Sequence, residues 1–230
     1  MDLLLHTLDN EIRLVHQRTS GIVAHCGIII NAGSRDEAPS EHGIAHFIEH
    51  MLFKGTSKRR SYHILSRLED VGGELNAYTT KEETAVHASF LKEDYERAIE
   101  LIADITFNSV FPEKEIKREK DVIIEEINSY LDTPSELIFD EFEEQIFKGQ
   151  PIGRSILGNP ETVKSFSQNK ISEFISRNYN NEQIVFCSVG NIPDEKILKL
   201  FRTHFDRRIS DKRNGYLPES LHHRKCGLQY

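Results

Sequence analysis

Cysteine is scarce in this 230-residue chain. Cys26, Cys187 and Cys226 are too few and too scattered for a disulfide framework, and a reducing compartment fits. Long apolar runs are missing too, so no stretch reads as a membrane span. Positive charge is thin. The 29 Lys and Arg stand against 37 Asp and Glu, for a net charge of −8, and the longest basic cluster is Lys58-Arg59-Arg60. That argues against nucleic acid or an anionic membrane as the main partner. The opening Met1-Asp2-Leu3-Leu4-Leu5-His6 has no basic n-region and only a short apolar patch. Neither a secretory signal nor an Arg-rich transit peptide is expected, and the expected location is cytoplasmic. Low-complexity tracts and internal repeats are absent. What remains is a globular chain with 38% apolar and 29% charged residues, long enough to bury a sizeable core.

Two β-like segments, 3–8 and 11–17, flank the turn Asp9-Asn10, and 22–31 reads as a buried strand. A polar loop follows, and Ser40 reads as the N-cap of a helix that Gly55 stops. A second helix starts after Ser61 and ends at Gly72-Gly73. Segments 74–79 and 84–91 read as a strand pair around Lys81-Glu82-Glu83. Helices are expected over 92–108, 113–131 and, opened by the capping box Thr133-Pro134-Ser135-Glu136, to about Phe147. Asn159 caps a short turn, and Ser165-Phe166-Ser167-Gln168 reads as a capping box for a helix to about Asn178. A strand over 183–189 and a helix over 193–204 complete the pattern. Strand blocks on either side of a helical middle predict an α+β fold: one mostly antiparallel sheet with helices packed on one face. Residues 1–206 read as one domain and 207–230 as a polar linker or tail.

The chemistry concentrates in His46-Phe47-Ile48-Glu49-His50. Two histidines four apart lie one helical turn from each other on one face, so two imidazoles can grip one metal ion. Glu49 lies beside that pair, where a carboxylate can take a proton from a water. This is the H-x-x-E-H order. A catalytic zinc site usually has a third protein ligand and one open position. The helix 113–131 is the richest source, with Glu119, Asp121, Glu125 and Glu126. Glu119, Ile123, Glu126 and Tyr130 share a stripe beside Ile116 and Ile127, while Glu125 falls on a more polar one. A carboxylate near a core needs a partner charge or a metal. That favours Glu126 over Glu125 as ligand, with Glu119 nearby. The pattern alone leaves equally open that both belong to a solvated charged face.

The segment 46–56 resembles the zinc-site helix of the pitrilysin/insulinase family. Further likeness lies in Gly72-Gly73-Glu74-Leu75-Asn76-Ala77-Tyr78-Thr79, in 118–126, in Pro151-Ile152-Gly153-Arg154-Ser155-Ile156-Leu157-Gly158 and in Val189-Gly190-Asn191. The 75 residues between His50 and Glu126 match the family's distal glutamate, and its additional glutamate falls on Glu119. The resemblance implies Zn2+ held by His46, His50 and Glu126. It implies Glu49 as general base, Glu119 as an electrostatic assistant, and Asn76 and Ala77 on a strand edge that adds a peptide or unfolded-protein substrate as an extra strand. Read from the residues alone, Asn76-Ala77 is an ordinary strand end.

Family members resemble two tandem halves of about this size. The resemblance therefore implies a zinc endopeptidase N-terminal domain whose full activity needs a second homologous domain or subunit. Two rivals are a catalytically weak or structural subunit of a two-part peptidase and an S-ribosylhomocysteine lyase-like metalloenzyme. The first usually lacks part of the metal motif, which is complete here. The second uses a cysteine ligand, and Cys187 is distant. Elsewhere, His42 is expected at the surface, His63 and His87 packed or hydrogen-bonded, Cys187 buried and inert, Arg154 solvated, and His222-His223 in the tail.

Overall fold

The computed structural model describes residues 3–206; the expected tail, with His222, His223 and Cys226, lies outside them. Six strands form one sheet. They are β1 (Leu3–Thr7), β2 (Arg13–Arg18), β3 (Val23–Ile30), β4 (Glu74–Thr79), β5 (Thr84–Leu91) and β6 (Ile184–Gly190), in the order β1-β2-β6-β3-β5-β4. All neighbours pair antiparallel except β2 and β6, which run parallel with Val15 opposite Cys187. The α+β class with a mostly antiparallel sheet is therefore observed. The last strand enters the middle, so the sheet is complete only when 184–190 has joined it.

The helices are α1 (Ile44–Leu52), α2 (Ser61–Glu69), α3 (Tyr95–Asn108), α4 (Glu113–Leu131), α5 (Pro134–Ile146), α6 (Pro160–Ser165), α7 (Gln168–Asn178) and α8 (Asp194–Phe205). Strand alternation decides which sheet face they cover. Ala24, Cys26, Ile28 and Ile30 of β3, with Val86, Ala88 and Phe90 of β5, are buried against α3. Phe186 of β6 stacks on Phe201 of α8, ring centroids 5.6 Å apart. Each such large apolar side chain contributes about 1.5–3 kcal/mol by leaving water. On the other face Cys187 is half-buried rather than buried, and His87 is exposed with its ring against Tyr78, centroids 6.1 Å apart. His63 is exposed as well.

Three helix starts differ from expectation. The Ser40 turn is a short 3-10 turn, Pro39–Glu41, and α1 begins only after Gly43. Thr133 does not cap α5: its hydroxyl donates to the Ser129 carbonyl, one turn back on α4. Ser165 ends α6, and it is Ser167 that accepts the Lys170 amide to cap α7.

One helix is inverted relative to the rest. No residue of α5 is buried, and Ile138, Phe139, Phe142 and Ile146 are 54–70% exposed. Its acidic side faces the domain instead, where Glu143 and Asp140 pair with Lys81 of the β4–β5 turn.

Candidate metal centre

The helix α1 is nine residues long and strictly two-sided. Ile44, Phe47, Ile48, Met51 and Leu52 are buried, and Phe47 meets Phe166 edge-on at 5.2 Å. This anchoring presents His46, Glu49 and His50 on the remaining face. The facing helix α4 buries Ile116, Glu119, Ile123 and Ile127. That phase turns Glu126 toward the two histidines and leaves Glu125 in solvent.

The three candidate ligands converge. His46 Nε2 lies 3.6 Å from one Glu126 oxygen, and His50 Nε2 lies 3.6 Å from the other. The ligand atoms of all three lie within 4.8 Å of one another. Ligands held at zinc distances in a tetrahedron sit about 3.3–3.4 Å apart. The donor set, two imidazoles and one carboxylate, is of the kind that holds zinc, and its atoms stand somewhat wider apart than that spacing, so a small inward shift would close them on one ion.

The electrostatics favour ligation. Burial, reinforced by the charge of His50, lowers the His46 pKa to about 4, so this imidazole is neutral and free to bind a cation. Burial also pulls on His50, but the Glu119 hydrogen bond and the charges of Glu126, Glu119 and Glu49 outweigh it and raise its pKa. Glu119 stands behind His50, accepting from Nδ1 at 2.9 Å, and its other oxygen meets Lys54 Nζ at 2.7 Å. Burial alone would raise Glu119, yet the bonds from His50 and Lys54 hold it below the usual carboxylate range. An ionised partner on Nδ1 fixes the tautomer that aims Nε2 at the ion.

Glu49 shares a cavity of about 330 Å³ with His46 and Glu126, walled by Thr79 and by Ser155, Ile156 and Leu157. Burial raises its pKa, against the nearby Thr79 hydroxyl and the His50 charge. A half-buried carboxylate beside an ion site can accept a proton. Asn76 and Ala77 lie on β4, the edge strand on this side of the sheet. The Ala77 amide donates to its neighbour's Asn76 Oδ1 at 2.9 Å rather than to β5, so it points to the open edge.

The structure gives two other residues new surroundings. His42 is not a surface group, since its Nε2 meets the Ser155 carbonyl at 2.7 Å. Arg154 is not solvated, since it donates to the Glu37 carbonyl at 2.6 Å. Glu37 itself escaped sequence reasoning. It sits in a polar loop with no periodicity, and its only signal is a carboxylate shortly before a helix whose N-terminal glycine brings no cap.

Comparison with known proteins adds four observations. The model of the insulinase family (peptidase family M16) matches residues 13–160. The "Uncharacterized zinc protease" of Rickettsia bellii is 38% identical over 191 residues, covering 83% of this chain and 46% of that protein. The mitochondrial-processing peptidase subunit beta of Dictyostelium discoideum is 37% identical over 201 residues, covering 86% and 43%. A protease from Helicobacter pylori has the same fold, with a TM-score of 0.87 at 23% identity over 92% of this chain and 52% of that one. The chain thus spans about half the length of the curated relatives it matches. On the family match and the identity to these relatives, the chain belongs to the insulinase family of peptidases, M16.

Proposed function

We propose that the chain is the zinc-binding unit of a metalloendopeptidase. The carrying observation is the convergence of His46 Nε2, His50 Nε2 and the Glu126 carboxylate in a cavity that also holds Glu49. Zinc bound there would supply Lewis acidity toward a carbonyl and toward a water molecule. The chain's own groups do the rest. Glu49 takes a proton from the attacking water and returns it to the leaving amine. Glu119 acts through His50, as a positioning residue, with Lys54 holding its second oxygen. The open edge at Asn76 and Ala77 accepts a peptide or unfolded segment as an added strand, giving affinity with little sequence preference.

Full activity is proposed to need a second homologous unit. The chain covers about half of its relatives, and α5 presents Ile138, Phe139, Phe142 and Ile146 outward beside the cavity that its Asp140 lines. An apolar stripe of that kind marks a contact surface, and a second unit there would wall the mouth of the metal site. A cytoplasmic setting fits the scarcity of cysteine.

Zinc stoichiometry and peptide hydrolysis test the reading together. One zinc per chain is expected, with hydrolysis in the presence of the second unit that Glu49→Gln abolishes while zinc is retained. A chain that takes up no zinc at micromolar concentrations would overturn the assignment. Zinc uptake with hydrolysis unaffected by Glu49→Gln would remove Glu49 as the base.

A further inference from the structure

The two metal-binding histidines are supported differently. His50 lies in the last turn of α1 and is gripped through its ring by Glu119. His46 lies in the first turn, and its Nδ1 is buried with no hydrogen-bond partner among the described residues. The Nδ1 side of the ring is unheld, and its other contacts are Glu126, 3.6 Å from Nε2, and the ring of His50, so its placement leans on the backbone. That backbone is weak by construction, because the first amides of a helix have no intrahelical acceptor. The residue before α1, Gly43, sits at φ +93° and has no side chain to cap them.

Glu37 supplies what the helix lacks. Its two oxygens accept the amides of Gly43 and Ala45, each at 2.9 Å, and the residue is only 3% exposed. The amide nearest His46 in this set is that of its immediate neighbour. Burial pushes the Glu37 pKa up to about 8, while these two amide bonds and the Arg154 charge oppose the rise, so the grip rests on the hydrogen bonds rather than on a full charge at the helix start. The same residue reaches the cavity wall, since its carbonyl accepts from Arg154, which adjoins Ser155. The wall is bound to the helix start at two more points. His42 meets the Ser155 carbonyl, and Thr162 Oγ1 donates to the His42 carbonyl at 2.6 Å. The backbones of Gly43 and Gly158 pass so close that a Cβ on Gly43 would lie 2.7 Å from the Gly158 Cα.

We infer that Glu37 is a positioning residue of the metal centre: it clamps the first turn of α1 and thereby sets His46 and the cavity wall in fixed relation. The inference deepens the zinc reading above and rests on it. Glu37 substitutes for the Nδ1 partner that His46 lacks. A purely structural buried carboxylate would affect the fold in general. A clamp affects the ligand next to it first.

The test compares Glu37→Gln with Phe201→Leu, a core change on α8 far from the site. Zinc affinity is read by competition with a chromogenic chelator, folding by circular dichroism and thermal melting, and the Ala45 amide by hydrogen exchange. Glu37→Gln is expected to keep the fold, to weaken zinc binding by about tenfold, the low end of what loss of a direct partner of a metal ligand costs, since Glu37 acts one residue away, and to lose protection at Ala45. Phe201→Leu is expected to lower the melting temperature without moving zinc affinity. Should Glu37→Gln not fold, Glu37→Asp, one methylene shorter, carries the same expectations. Unchanged zinc affinity in the Glu37 variant overturns the clamp and leaves the peptidase reading standing. A wild-type chain that binds no zinc removes the peptidase reading, and Ala45 protection then decides the clamp alone: lost in the variant, it stands; retained, it falls.

Discussion

Glu119→Ala isolates the contribution of an outer group to the metal centre. Glu119 is 5% exposed and spends one oxygen on His50 and the other on Lys54. Truncation leaves His50 Nδ1 without its acceptor and its ring free to turn. Loss of such a partner costs about 10–100-fold in metal affinity, which is about 1.4–2.7 kcal/mol at 1.36 kcal/mol per decade. The folding cost should be smaller than for a sealed ion pair, because the Lys54 side chain is 29% exposed and its ammonium can turn to water. Affinity should therefore fall more than stability. Glu119→Gln keeps an acceptor for Nδ1 and should lose about tenfold at most. The assay is a chelator competition at fixed pH on the folded variants, with melting curves of the zinc-free proteins beside it. If Glu119→Ala binds zinc as the wild type does, α1 alone orients His50 and the role given to Glu119 is wrong.

Other sites make independent predictions. Glu126→Gln should abolish stoichiometric zinc in metal analysis while leaving the circular dichroism spectrum intact, since Glu126 is half-exposed and its charge is not needed by the core. Phe139→Ser with Phe142→Ser should change unfolding free energy by less than about 0.5 kcal/mol, as surface substitutions do, and leave zinc affinity alone; a large destabilisation in denaturant titration would mean that α5 is not an outward-facing stripe. Asp104 sets a pH dependence. Burial pushes it up, but hydrogen bonds from Arg59, Asn108 and Thr56 and the charge of Arg59 hold its pKa below 3.8. A depressed carboxylate adds stability above its unfolded value, and that stability is lost as pH falls through the folded one. Asp104→Asn should therefore cost about 1.5–3 kcal/mol near neutrality, with the gap to wild type closing as pH drops below 3.8; a gap that stays constant in acid would contradict this.

Local periodicity made much of the site readable. The i, i+4 histidines and the apolar rest of α1 specify a two-sided helix, and Ile116, Ile123 and Ile127 set the phase that turns Glu119 and Glu126 inward. Edge position was legible for β4 through the family likeness alone, because alternation gives a strand's faces but not its neighbours. For the same reason the parallel β2–β6 pairing was invisible. The start of α1 was misplaced because Ser40 is a good cap by type, while the real cap is Glu37, which acts through the folded loop. Ser167 displaced Ser165 in a similar way, since two serines two apart offer the same local signal and only the end of α6 separates them.

The candidate metal ligands come from α1 and α4, which are separated in the chain by α2, β4, β5 and α3. Among the described residues no single helix holds the whole candidate set. If zinc binds there as proposed, the three-ligand site forms only when the two helices have met, so the ion would favour the native chain over the unfolded one. By mass action, free zinc at about a thousand times its dissociation constant adds about 4 kcal/mol to folding stability. A bound ion would then work as a removable cross-link between distant parts of the chain, and the melting temperature of this domain would become a gauge of the zinc available to it.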